Sequence, residues 1–331
     1  MNANIKEIAK RANVSIATVS RALSGQNNVR EETKKHILKI ARQLNYNPNL
    51  LARNFVKGKS NIIGLILPDI SDEFFSEIIK SIDDTSFISG YFTMVISSHK
   101  NRSLVESINT MMNSGIAGGF ILLVPFMNSE IEKALKSERV PFVIISGDSE
   151  LGDYDIITID NYNAAYNAVK FLADNGYKKI AHIAGPDENN DAALRREGFL
   201  NACTKLKLET KKSWIVKADF TLESGERAAN LILKQKERPE VIFAANDMTA
   251  IGCYNAASKL GLKIPDDIAI IGFDDVLISQ YVSPPLTTIK VDTETIGKTA
   301  AEKLIQKMTQ TEKLKPQTIK ISTELVIRNS C

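Results

Sequence analysis

The chain has 331 residues, enough for two or three domains, and its 44% hydrophobic and 24% charged content is ordinary for a soluble globular protein. A net charge of +3 hides a segregation: residues 1–60 hold twelve Lys and Arg against three acids, and the remainder holds thirty against thirty-six. This pattern excludes a uniformly basic or acidic protein and gives a basic head, suited to a polyanion, on an acidic body.

In chain order, Ile5, Ile8, Ala9 and Ala12 recur on one face of a first helix. Asn13 tolerates the left-handed backbone that stops it. Ser15 is a good N-cap for a second short helix, IATVSRALS, with Val19, Ala22 and Leu23 inward. A third helix is expected over 31–44, with Ile37, Ile40, Ala41 and Leu44 inward and Glu31 and Glu32 complementing its dipole. Two short helices about a three-residue turn make a helix-turn-helix. The pattern alone also fits a plain three-helix bundle. The outward face of the second helix argues for more, because no acid occurs from residue 8 to 30. A helix entering a major groove needs small residues for close approach, apolar groups for thymine methyls and Arg for guanine. Ile16, Ala17 and Arg21 supply these, and Ser15, Thr18 and Ser20 can hydrogen-bond phosphates.

Residues 48–60, PNLLARNFVKGKS, have the composition of a linker but carry Leu50, Leu51, Phe55 and Val56. LLARNFV can form two helical turns with Arg53, Lys57 and Lys59 near phosphates, and it is too short to be stable alone. Phe55 can equally pack against the head or the body.

From Asn61 the hydrophobic period changes. NIIGLIL, FTMVIS, GFILLV, PFVIIS, KKIAHIAG, WIVK, VIFAAN and DIAIIGF read as strands, separated by amphipathic helices such as FFSEIIKSID and AALRREGFLNACTKL. About ten strands in this alternation imply parallel sheets with helices on both faces, arranged as two lobes. Ligands of such sheets bind beyond the carboxyl ends of the strands. Those ends carry Asp69, Phe74 and Phe75; Ser146 and Gly147; Arg195; Asp219 and Phe220; Asn246 and Asp247; and Asp274 and Asp275. Planar polar groups with aromatic faces suit a sugar or similar polyol. Each has a simpler reading: Asn246 as a helix cap, Asp274 as a turn residue, Arg195 in a surface pair with Glu197 or Glu188, and Phe75 as core beside a ligand-facing Phe74.

No run of signal-peptide or membrane-span length appears. Cys203, Cys253 and Cys331 form no disulfide framework or metal spacing, and His36, His99 and His182 are isolated, so the cytoplasm is expected and no metal site. Neither a Walker loop, GxGxxG, GxSxG nor HExxH occurs, so no catalytic residue and no cofactor is assigned.

The run IKEIAKRANVSIATVSRALSG, then VREETKKHILKIARQLNYNPN and LLAR, closely resembles the headpiece of the lac-repressor/galactose-repressor (LacI/GalR) family of bacterial transcription regulators. The segments RREGF, ADFTLESG, FAANDMTAIG, IPDDIAIIGFDD and SPPLTTI extend the likeness to the end of the chain. The resemblance implies an all-α helix-turn-helix headpiece on an α/β body of periplasmic-binding-protein type, with two doubly wound lobes. It implies a headpiece over 1–47, a hinge helix over 48–60, a first lobe over 61–160 and 290–320, and a second over 161–289 and 321–331. Ile16, Ala17 and Arg21 then read bases, and Phe55 occupies the place of an apolar wedge, usually leucine, that enters the minor groove and kinks the operator. Phe74, Phe75, Arg195, Phe220, Asn246 and Asp274 fall on effector-contacting positions. Ser146-Gly147 departs from the acid–basic pair common there, and Val291 falls where some sugar-binding members carry a polar contact. The implied function is an allosteric repressor of a carbohydrate-utilisation operon, acting on double-stranded operator DNA under a sugar or sugar-phosphate effector. The alternative is a global catabolite-type regulator with a protein coregulator. The chain ends at LVIRNSC without a heptad tail, so a homodimer is expected.

Overall fold

Asn4 and Ser15 start the first two helices for the same reason: a short side-chain oxygen satisfies an amide of the first turn. Asn4 Oδ1 accepts from the Glu7 N–H at 3.0 Å, opening α1 (Ile5–Ala12), and Ser15 Oγ accepts from the Thr18 N–H at 3.1 Å, opening α2 (Ile16–Leu23). Asn13 ends α1 in the left-handed region, with φ 51°. With α3 (Glu31–Gln43) these helices enclose a small core of Ile8, Ala9, Val19, Ala22, Ile37, Ile40 and Ala41. The computed structural model describes residues 4–23, 28–44, 46, 60–68, 73–98, 103–136, 140–146, 153–310 and 315–331. The chain divides into two compact units, 1–60 and 61–331.

The second unit contains two parallel sheets. The first is built from β1 (Ile62–Leu67), β2 (Phe92–Ser97), β3 (Gly119–Leu123), β4 (Phe142–Ile145), β5 (Ile156–Ile159) and β11 (Thr318–Ile321), in the order β11-β5-β4-β3-β1-β2. Its helices are α4 (Glu73–Ile88), α5 (Leu104–Met112), α6 (Ser129–Lys136) and α11 (Thr293–Thr309), the last packing on α4, β3 and β4. The second sheet runs β7-β6-β8-β9, with β6 (Ile180–Ala184), β7 (Ile215–Lys217), β8 (Val241–Ala244) and β9 (Ala269–Ile271). Around it lie α7 (Asn161–Asp174), α8 (Asn190–Leu206), α9 (Leu222–Leu233) and α10 (Asp247–Lys259). An antiparallel ribbon of β10 (Thr288–Val291) and β12 (Thr323–Val326) forms a separate pair, with Ile289 opposite Leu325.

Helices on both faces explain the uninterrupted apolar strands. Ile63, Leu65, Ile66 and Leu67 of β1 are all fully buried, where a half-exposed strand would alternate. After β5 the chain enters α7 and the second sheet. It leaves that sheet after β9 through β10, adds α11 and β11 to the first sheet, and ends through β12.

The described residues form twelve strands rather than about ten, and the sequence reading left several elements unnamed, among them β5, α6 and α11. The four residues of β5 sit between Asp155 and Asp160 and look like a polar loop. The eight residues of α6 are below the length at which a helix is stable alone, and the packing of Ile131, Ala134 and Leu135 holds it. In α11, Ile296, Ala300, Ala301 and Leu304 are buried, and Ser81 Oγ donates to the Glu294 carbonyl at 2.6 Å to fix the helix against α4.

Candidate functional site

The first candidate surface is the outer face of α2. Because Val19 and Ala22 turn inward, Ser15, Ile16, Ala17, Ser20 and Arg21 are exposed and Thr18 is half-buried, with its hydroxyl 2.9 Å from that of Ser15. Ile16 is 45% exposed on this face. Arg53, Phe55, Lys57 and Lys59, expected in the hinge, lie outside the described residues.

The second candidate is a cleft of about 820 Å³ in the 61–331 unit. Phe74, Phe75, Ser146, Arg195, Phe220, Asn246 and Asp274, separated by up to two hundred positions in sequence, all line it. Asp219 joins them, while Gly147 and Asp69 lie outside the described residues. Phe74 and Phe75 meet edge to face at 5.6 Å, and both are half-buried in the wall, so Phe75 is not confined to the core as its helical stripe suggested. Val291 is buried among the apolar core residues and does not line the cleft.

Asn246 is both cap and wall. Its Oδ1 accepts from the Thr249 N–H at 2.9 Å, and its Nδ2 donates to the Phe220 carbonyl at 3.1 Å. That second bond holds Phe220 in a left-handed conformation, φ 67°, which presents its ring to the cleft. Gly185 makes room for the ring, since a Cβ there would come within 2.4 Å of Phe220 Cζ. Asp274 and Asp275 also have positive φ, 111° and 59°. Such backbone costs roughly 1–3 kcal/mol per residue and persists where surroundings over-determine it. Here the Asp274 N–H donates to the Ile289 carbonyl at 2.7 Å, and Arg328 Nη2 donates to Asp275 Oδ1 at 2.5 Å.

Arg195 is buried and pairs with neither Glu197 nor Glu188, so the surface ion pair is set aside. Its Nε donates to Asn161 Oδ1 at 2.8 Å, its Nη1 donates to the Ala245 carbonyl at 2.6 Å, and its Nη2 lies 3.5 Å from Asp274 Oδ1. The guanidinium carbon sits 3.6 Å from the centre of the Phe273 ring. Asn161 Nδ2 in turn donates to Asp191 Oδ1 at 2.5 Å. Burial raises the Asp191 carboxyl above the ordinary carboxylate range, against the pull of Arg195 and Asn161. Sequence reasoning missed Asn161 and Asp191. Asn161 opens the helix after β5, and with that strand unread it was not seen as a strand-end residue.

Behind the wall, Asp247 is fully buried. Thr288 Oγ1 donates to its Oδ1 at 2.5 Å and the Val276 N–H to its Oδ2 at 3.0 Å. Burial, with the charge of Asp274, raises this carboxyl well above its usual range. It ties α10 to the ribbon strand β10, so the cleft floor and the ribbon are mechanically joined. Among the described residues no group of His, Cys, Asp and Glu has metal-site geometry, and no helix is long and apolar enough to cross a membrane.

A helix-turn-helix head joined to a two-sheet body with a cleft defines a DNA-binding transcription regulator carrying a ligand-binding body. Residues 4–49 match the family of bacterial regulatory proteins, lacI family, and residues 169–331 match the periplasmic binding protein-like domain. The HTH-type transcriptional repressor PurR of Erwinia tasmaniensis is 32% identical over 330 residues, covering 99% of this chain and 96% of that protein. The same repressor from Proteus mirabilis matches equally. The lac repressor dimer bound to operator and the anti-inducer ONPF shares the fold with a TM-score of 0.88 at 25% identity, covering 100% of this chain and 99% of that one. The chain belongs to the lacI family of bacterial transcription regulators.

Proposed function

We propose that the protein is a cytoplasmic, homodimeric repressor, without enzymatic activity, whose affinity for a near-palindromic operator is set by a sugar-like ligand in the cleft. The observation that carries this reading is the meeting of Phe74, Phe75 and Ser146 from the first sheet with Arg195, Phe220, Asn246 and Asp274 from the second around one cavity. A ligand touching both sheets favours one arrangement of the lobes, and that arrangement governs how two hinge segments are presented to DNA. The lobes are assigned as 61–160 with 290–320, and 161–289 with 321–331, on a headpiece 1–47 and hinge 48–60. Ile16, Ala17 and Arg21 read bases, Ser15, Thr18 and Ser20 with Arg53 and Lys57 hold phosphates, and Phe55 wedges the operator centre. Dimerisation is supported by exposed apolar groups on both lobes: Phe87, Ile88 and Phe92 on one, Leu277, Ile278 and Tyr281 on the other.

The test is fluorescence anisotropy of the full chain on DNA from upstream of its own gene, at about 50 and 200 mM salt, with and without sugars. Six to ten phosphate contacts weaken binding by roughly 10³–10⁵ over that range. Salt-insensitive binding, or binding unaffected by every cleft ligand that raises the melting temperature, would refute the proposal.

A further inference from the structure

We propose that Glu73 is a latch across the cleft: its carboxylate caps a helix on the side of the opposite sheet and so holds the two halves of the body in one arrangement. The latch stands on its own geometry, and its consequence for DNA rests on the function proposed above. Glu73 opens α4, which packs on β2 and α11 of the first sheet. Its Oε1 accepts from the Leu277 N–H at 2.8 Å, across 204 positions of sequence. Leu277 opens a short 3-10 helix, Leu277–Gln280, that is tied to the second sheet's side. The Val276 N–H donates to Asp247 Oδ2 of α10 at 3.0 Å, and Arg328 holds Asp275 through Nη2 and the Leu286 carbonyl, at 2.7 Å, through Nη1.

The ends of helices explain why the halves meet at these atoms. The first amides of a helix have no partner within it. Val276, which precedes the 3-10 helix, has no side-chain oxygen, and no side-chain cap is made there. Glu73 supplies an acceptor from the other half. A second crossing bond follows the same logic. Asn190 opens α8 of the second sheet, and its N–H donates at 2.9 Å to the carbonyl of Pro125, just beyond β3 of the first. The cap Asn189 bonds the Ala192 amide and leaves that of Asn190 to Pro125. Both bonds adjoin the cleft wall: Glu73 precedes Phe74, Leu277 lies three positions after Asp274, and Pro125 lines the cavity itself. Glu73 and Leu277 stand outside the wall. A ligand that changes the spacing of Phe74 and Asp274 therefore acts on the latch without touching it. The 3-10 helix also exposes Leu277 and Ile278, so the latch carries the arrangement of the halves to the face offered above for dimerisation.

The experiment is amide-resolved hydrogen exchange on the full chain without ligand, comparing the parent with Glu73→Ala and Glu73→Gln. Separation of the halves breaks both crossing bonds together. Glu73→Ala should therefore speed exchange at both Leu277 and Asn190 by at least about fivefold, while the amide of Leu65, buried in β1, keeps its rate. Glu73→Gln keeps an acceptor oxygen and should stay within about twofold of the parent at both amides. On DNA from upstream of the gene, Glu73→Ala should shift affinity by at least about threefold in anisotropy, with Glu73→Gln near the parent. No acceleration at Leu277, or acceleration there without Asn190, reduces the bond to a local contact and overturns the latch. Acceleration at Leu65 as well means that the bond holds the fold rather than the arrangement of its halves, and overturns it too. Unchanged DNA affinity overturns the coupling to the operator. If the parent itself fails to bind that DNA, the function proposed above fails, and exchange at Asn190 still decides the latch.

Discussion

Replacing Arg195 by Met keeps the length of an unbranched side chain while deleting the guanidinium. The variant loses the bonds to Asn161 Oδ1 at 2.8 Å and to the Ala245 carbonyl at 2.6 Å, and the stacking on Phe273 at 3.6 Å. It also leaves the Asp274 carboxylate, 8% exposed, without the cation 3.5 Å away. Removing one partner of a buried ion pair costs about 3–5 kcal/mol, because the remaining charge stays desolvated. That is a large part of the roughly 5–15 kcal/mol by which proteins are folded. Asp274→Asn in the same chain removes the stranded charge, so the double variant should recover about 1–3 kcal/mol relative to the sum of the singles. Urea titration followed by Trp214, the single tryptophan and fully buried, reads both quantities. A loss below about 1 kcal/mol for Arg195→Met, or strict additivity in the double variant, would show that the pair is not the electrostatic centre of the cleft.

Other expectations follow from particular contacts. His182 lies between Phe199 and Phe243, its Nδ1–H donating to the Phe243 carbonyl at 2.9 Å, and burial lowers its pKa from 6.5 to about 4. The unfolded chain therefore binds a proton that the native chain refuses, and stability falls as pH drops from 6.5 to 4, by about 3 kcal/mol in all. His182→Gln should flatten that part of the stability–pH curve relative to the parent, and an unchanged slope between pH 6.5 and 4.5 would argue otherwise. Gly198→Ala places a Cβ 2.2 Å from the Tyr162 carbonyl oxygen, where α8 crosses α7. It should cost about 1–3 kcal/mol by thermal melting, and a neutral result would mean that the two helices separate freely. Arg21→Ala should relax base preference at one operator position by about 1–3 kcal/mol in competition anisotropy, whereas a uniform loss on all sequences would reduce Arg21 to a phosphate contact. Phe55→Ala should abolish the operator bend in a circular-permutation gel assay while leaving ligand affinity intact, and a retained bend would remove the wedge from the mechanism.

The headpiece was legible from sequence because its determinants are local. Apolar spacing, Ser15 as cap and Asn13 as stop act within one or two helical turns, and the same residues do that work in the structure. The parallel sheets were legible because strands buried on both faces must be continuously apolar, as in IIGLIL. The cleft residues could be gathered as strand-end positions, but their partners could not. Arg195 meets Asn161 across thirty-four positions and Ala245 across fifty, and no local pattern distinguishes that from the surface pair with Glu188 or Glu197. Likewise, Asn246 alone reads as a cap, and only the fold brings the Phe220 carbonyl to its other end and so fixes the ring in the cleft. The sequence by itself determined the headpiece helices and the continuously apolar strands with the residues that end them, while β5, α6 and α11 depended on tertiary packing. The tertiary structure decided which charges are already neutralised, because pairing depends on distances between segments far apart along the chain.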